Sequence, residues 1–150
     1  DARGFKADDF ARSHPGGALG RRLLTHVRDV MKTGAQVPAV RLGATLTDAI
    51  LEISRKGMGM TAIVDDADRV VGIFTDGDLR RAIERGVDLR GALIADLMTP
   101  GPTTIGPNEL AVEAVELMER RRINQLLVTE ESGRLIGALN MHDLFQAKVV

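Results

Sequence analysis

LTDAILEISRKGMGMTAIVDDADRVVGIFTDGDLRRA, residues 46–82, returns 65 positions later as AVEAVELMERRRINQLLVTEESGRLIGALNMHDLFQA, residues 111–147, without a gap. Ala49 aligns with Ala114, Arg69 with Arg134, Gly72 with Gly137, Asp78 with Asp143, Leu79 with Leu144 and Ala82 with Ala147. The apolar positions correspond more fully than the identities do. Upstream, DVM (29–31) is echoed by DLM (96–98), and VPAV (37–40) by PTTI (102–105). Self-similarity at a fixed spacing signals two copies of one supersecondary unit, here joined near residues 86–95.

Both copies predict the same elements. Thr45 and Asp48 form a Thr-x-x-Asp helix start, after which Leu46, Ala49, Ile50 and Ile53 recur at helical spacing. In the second copy Asn108 is the expected cap, and Ala111, Ala114, Val115 and Met118 repeat the stripe. A short apolar strand follows at 61–65 or 126–130, then a polar turn, DADR or ESGR. A second strand comes next at 70–74 or 135–139, then a short helix beginning around Asp78 or Asp143. With a leading strand near 37–40 or 103–105, each unit is strand, helix, strand, strand, helix. One unit alone has too little core to stand, so the two are expected to pack sheet against sheet.

Composition removes several classes of function. The 150-residue chain is 44% hydrophobic and 27% charged, a globular mix with a formal net charge of -1. That balance gives no electrostatic case for nucleic acid or a membrane surface. Trp and Tyr are absent and Phe numbers four, so base-stacking platforms are not expected. No cysteine is present, which excludes disulfides and thiolate metal sites and fits a cytoplasmic protein. The apolar runs are far short of a membrane span, and DARGFKADDFARS at the start has no signal-peptide core.

Two tandem units, each with a D-h-M turn, a capped helix and a junction of the form G-h-x-h-T/N-x-x-D, resemble a CBS-domain pair, or Bateman module, over residues 29–147. The resemblance implies an α/β fold of two packed units related by a pseudo-twofold axis. It also implies a regulatory role, binding nucleotides in clefts between the units. FARSHPGGALGRRLL (10–24) further resembles the end of the sugar-isomerase (SIS) domain in KpsF/GutQ-type D-arabinose 5-phosphate isomerases. On that basis residues 1–27 are expected to be an SIS tail and linker, 28–90 the first CBS unit and 91–150 the second. The chain begins at Asp1 rather than Met, as expected of a segment lacking the SIS domain.

The family's activity is conversion of D-ribulose 5-phosphate to D-arabinose 5-phosphate, on the route to Kdo, the acidic sugar of lipopolysaccharide. The segment alone is not expected to catalyse it or to require a cofactor. The expected partners are an effector, CMP-Kdo or else CMP, AMP or ATP, together with the SIS domain of the parent chain and a second copy in a homodimer. The resemblance gives His14 an acid/base role in the full-length enzyme, suited to a side chain that titrates near neutrality. A surface position in a glycine-rich turn is the plainer reading.

Thr75 and Asp78 carry two readings. As an N-cap and its third-position partner they would satisfy free helix N–H groups, worth about 1 kcal/mol. As a site, the helix N-terminus offers donors and positive potential to a phosphate, the hydroxyl can donate, and the carboxylate can accept from two ribose hydroxyls. The resemblance assigns the second role, in which Asp78 is not expected to fold back fully onto its own helix. Asn140 and Asp143 are the corresponding pair, with His142 between them as a loop histidine or an anion contact. RKGMGM (55–60) reads as a helix C-terminus, yet Gly59 leaves room for a base against which Met58 and Met60 could pack. The matching Ile123, Asn124 and Gln125 could read base edges. Val37 and Pro38, or Thr103 and Thr104, are expected to form the opposite wall, and the resemblance adds Thr33. DGD (76–78) lacks the rest of a calcium loop, so no metal is expected. The run Arg120–Arg122 is either a solvated helix end or a neutraliser of phosphate or sugar carboxylate.

Overall fold

A computed structural model describes residues 24–149; His14 and most of the expected SIS tail lie outside them. The first unit contains β1 (Ala39–Arg41), α2 (Leu46–Lys56), β2 (Met60–Val64), β3 (Val70–Thr75) and α3 (Asp76–Glu84), preceded by a helical turn, α1 (Val27–Val30). The second contains β5 (Thr104–Ile105), α5 (Ala111–Arg121), β6 (Gln125–Thr129), β7 (Leu135–Asn140) and α6 (Met141–Gln146), preceded by α4 (Ile94–Leu97) and β4 (Thr99–Pro100). β1 runs parallel to β2, and β3 antiparallel to it; β5, β6 and β7 repeat the pattern. Both antiparallel pairs slip register at equivalent points, between Ile63 and Val64 and between Val128 and Thr129.

The apolar spacing explains the layers. Leu46, Ala49 and Ile53 of α2 bury against Ile63 and Phe74 on the outer face of the first sheet. Ala111, Ala114, Val115 and Met118 of α5 bury against Leu126, Val128 and Leu139 on the second. Between the sheets, Met58, Met60, Ala62 and Val64 pack with Leu127 and Ala138. β2 is therefore buried at every position, which is why apolar residues occupy both of its faces rather than one; its one polar side chain, Thr61, is fully buried and donates to Ala62 O at 3.1 Å. The axis relating the units is marked by Arg69, which bridges to its own repeat partner Arg134. Around it Val70 N–H donates to Gly133 O at 3.0 Å and Leu135 N–H to Asp68 O at 2.9 Å.

The leading turns are exchanged. Val27 of α1 is fully buried in the core of the second unit, and Ile94 of α4 in the core of the first. Lys32 pairs with Ala138 on β7, and β4 pairs with Gly72 and Ile73 on β3. The repeated glycines make this possible: a Cβ on Gly72 would overlap the Met98 sulfur, and one on Gly137 the Met31 sulfur. The D-h-M echo and the Gly72/Gly137 match are thus two halves of one lock, made twice.

Two carboxylates stabilise the first unit. Glu52 is buried at 7% exposure, accepting from Ala39 N–H at 3.0 Å and pairing with Lys56 at 2.9 Å and Arg55 at 3.4 Å. Burial works against its charge, but the Ala39 amide, Lys56 and Arg55 outweigh it and hold the carboxyl below its usual value. Asp65 accepts from the amides of Arg69 and Ala67, both at 2.9 Å, and the Arg69 amide foremost keeps its carboxyl low.

One cap falls elsewhere than the sequence suggested. The residue preceding α5 is Leu110, with no side-chain cap, while Asn108 accepts from Arg28 at 2.9 Å. The helix start is instead tied by Ala111 N–H donating to Thr25 O at 2.7 Å, so the exchanged leading segment does the work of a cap. No described helix is long and apolar enough to cross a membrane.

Candidate functional site

Thr75 and Asp78 form a full capping box. Thr75 Oγ1 accepts from Asp78 N–H at 3.1 Å, and Thr75 N–H donates to Asp78 Oδ2 at 3.0 Å. Asp78 Oδ1 is met by Arg81 at 2.6 Å. Asp78 therefore does fold back onto its helix, against the expectation for a ribose-facing carboxylate. The box still leaves capacity for a ligand. An ionised carboxylate offers about four acceptor positions; Thr75 and Arg81 occupy one on each oxygen. Thr75 uses its oxygen as acceptor, so its hydroxyl proton stays available to an anion.

In front of this junction lies a cavity of about 510 Å³. The first unit contributes Gly59, Ile73, Thr75 and residues 76–78 with Arg81. The second contributes Thr99, residues 101–103 and the turn Arg122–Gln125. Seven of the sequence-nominated residues thus converge: Gly59, Thr75, Asp78, Thr103, Ile123, Asn124 and Gln125. Gly59 adopts φ +72°, and a Cβ there would touch the Asp76 carboxylate at 3.4 Å and the Gln125 amide at 3.5 Å. Its missing side chain keeps that corner open. A further hollow of about 730 Å³ shares Asp78 and Arg81 and extends along Glu84, Arg85 and residues 96–100.

The remaining nominated residues sit elsewhere. Met58 and Met60, 6% and 0% exposed, belong to the core between the sheets, with Val37 packed against it and Pro38 buried nearby. Thr104 is in β5, paired with Leu127. Thr33 precedes a short turn at Gly34–Gln36. Asn140 and Asp143 repeat the capping box, at 2.8 and 3.2 Å, but Asp143 Oδ1 faces Lys32 at 3.6 Å. His142 is exposed on α6. Sequence reasoning did not nominate Arg81 or residues 99–102. Arg81 was findable, because it lies one turn beyond Asp78, where a cation meets a carboxylate. Among the described residues no group of three or more His, Cys, Asp or Glu side chains could hold a metal ion.

A family model for the CBS domain matches residues 27–85 and 94–149. The chain belongs to the CBS domain family. It is 55% identical over 149 residues to the arabinose 5-phosphate isomerase KdsD of Escherichia coli K12, covering 99% of this chain and 45% of that protein. It is 53% identical over 150 residues to KdsD of Pseudomonas aeruginosa, covering all of this chain and 46% of that one. The CBS pair therefore spans about half the length of the curated relatives it matches. Among solved structures, a CBS domain protein of Pyrobaculum aerophilum complexed with AMP superposes with a TM-score of 0.72 at 21% identity, covering 79% of this chain and 89% of that one. That likeness establishes the CBS-pair fold.

Proposed function

We propose that this CBS pair is the regulatory module of an arabinose 5-phosphate isomerase and binds one nucleotide or nucleotide-sugar effector in the cleft headed by Thr75 and Asp78. The observation that carries the reading is the cavity joining the Thr75–Arg81 helix start of one unit to the Arg122–Gln125 turn of the other. Asp78 accepts the ribose hydroxyls on its two remaining lone pairs. The Thr75 hydroxyl and the N-terminal end of α3 serve the phosphate. Asn124 and Gln125 read the base edge, Gly59 leaves it room, and Ile123 and Thr103 complete the walls. The AMP complex of the Pyrobaculum aerophilum protein supports a nucleotide as the ligand class. The KdsD relatives support the parent activity, and CMP-Kdo, an activated end product joining a nucleotide to an acidic sugar, is then a sensible feedback effector. To regulate, it must bind one state of the parent better than another.

Calorimetry of this chain against CMP-Kdo, CMP, AMP and ATP tests the reading, repeated with Asp78→Ala and Asp143→Ala. Binding weakened about 100-fold by Asp78→Ala and little changed by Asp143→Ala is the expected result. No binding of any of the four sinks the ligand class, and binding indifferent to Asp78→Ala sinks the site. Ribulose 5-phosphate should not be turned over by this chain. A second reading, an assembly module without ligand, draws on the inward capping of Asp78 and on exposed Leu51, Ile83 and Phe145, at 53%, 56% and 64%. Sedimentation would then report a dimer indifferent to nucleotide.

A further inference from the structure

At the end of α5 the chain turns through Arg122 in the left-handed conformation, φ 57° and ψ 46°. At the same point of the first unit Gly57 makes the turn, φ 70° and ψ 25°. Glycine reaches this region without steric cost and arginine does not. The turn brings Arg122 onto the wall of the 510 Å³ cavity, beside Asn124 and Gln125. The other charges there are accounted for. Asp78 is met by Arg81 at 2.6 Å, and Asp76 lies in the first turn of α3, where the helix dipole favours a carboxylate. Among the described residues, Arg122 makes no ion pair.

We infer that Arg122 is the specificity residue for a charged substituent on the ligand: it recognises an anionic group, a phosphate or a sugar carboxylate, attached to the nucleoside held by Asp78. This rests on the nucleotide reading and deepens it, because the capping-box carboxylate can hold a ribose whether or not the ligand is charged. A guanidinium suits the task through its planar fork of donors, which matches both phosphate and carboxylate.

The test is calorimetric titration of the 150-residue chain with AMP and adenosine, for wild type, Arg122→Gly, Arg122→Gln and Arg122→Lys. Arg122→Gly keeps the turn the backbone prefers, so a thermal midpoint no lower than that of Arg122→Gln checks that the fold is intact. The expected result is an AMP affinity weakened about tenfold in the Gly and Gln variants, less in the Lys variant, with adenosine unchanged. CMP and CMP-Kdo separate the two sources. Loss on AMP, CMP and CMP-Kdo alike assigns the phosphate, whereas AMP and CMP at wild-type affinity with loss confined to CMP-Kdo assigns the carboxylate. Affinities equal to wild type for every charged ligand, or equal losses for AMP and adenosine, would overturn the inference while leaving the nucleotide reading standing. Wild-type protein that binds none of these ligands would overturn both.

Discussion

Thr75–Asp78 and Asn140–Asp143 are the same capping box built twice, and their carboxylates meet different cations. Asp78 is held by Arg81, one turn along its own helix. Asp143 is faced by Lys32, which arrives from the exchanged leading segment paired to β7. The residue pairing with β3 in the matching place is Thr99, which carries no charge and lines the cavity instead. The helices differ too: α3 runs for nine residues and α6 for six. One motif can thus be kept as architecture in both halves while its surroundings differ: a described cavity opens in front of Asp78, and Asp143 is faced by the lysine of the exchanged segment. A helix-capping role and a binding role are not rivals; the cap fixes the carboxylate and leaves lone pairs to spare.

The two halves are expected to fold as one unit. Phe74 and Leu139 are repeat equivalents, both fully buried. Phe74→Ala should cost about 3–5 kcal/mol and Leu139→Ala about 2–5 kcal/mol. In urea each should shift one common transition, because each leading turn is buried in the other unit. Two separate transitions would show the halves to be independent.

Next comes binding. Asp78→Ala should weaken AMP by about 100-fold, the loss of two charge-assisted hydrogen bonds, and Asp143→Ala by no more than about twofold. Calorimetry giving equal losses would erase the distinction between the clefts.

A smaller contrast is titratable. Glu52 has Leu117 as its repeat equivalent, so only the first unit buries this charge. Its carboxyl is held below the usual 4.5, so folding favours the ionised form. That stability is present above the usual value and is lost as pH falls through the lower folded one. Glu52→Gln should therefore cost about 1–2 kcal/mol at neutral pH, with the deficit shrinking below about pH 4.5. Denaturant midpoints across pH 3–7 check this, and a deficit constant with pH would refute it. The smallest effect is expected at the caps themselves. Thr75→Ala and Asn140→Ala should each cost about 1 kcal/mol, and unequal costs would show that one box is not structural.

Much of this architecture could be read from the chain. The ungapped repeat gave the unit, the 46-49-50-53 and 111-114-115-118 stripes gave α2 and α5, and the expected strands fell within two residues of their places, while β4 was not expected. Part of the cleft was also legible, because Gly59, Asn124 and Gln125 lie at equivalent strand starts. The exchange of α1 and α4 was not. Each is a four-residue turn, too short to carry a period, and its burial depends on partners far away in sequence. Met58 and Met60 misled because an apolar residue at a strand start suits a base or a core equally, and the facing sheet decides between them. Glu52 carried a faint signal, since a glutamate followed three and four residues on by Arg55 and Lys56 forms i, i+3 and i, i+4 pairs. Its burial, however, comes from the Ala39 amide of a neighbouring strand. Arg122 was visible in the alignment as an arginine set against Gly57.

The exchanged turns also decide how tension travels. The chain reaches β1 only after Val27 has been pinned beneath α5, with Val27 N–H donating to Glu109 O at 2.8 Å. A pull on the leading end is therefore borne first by the second repeat, the one whose α5 ends at Arg122.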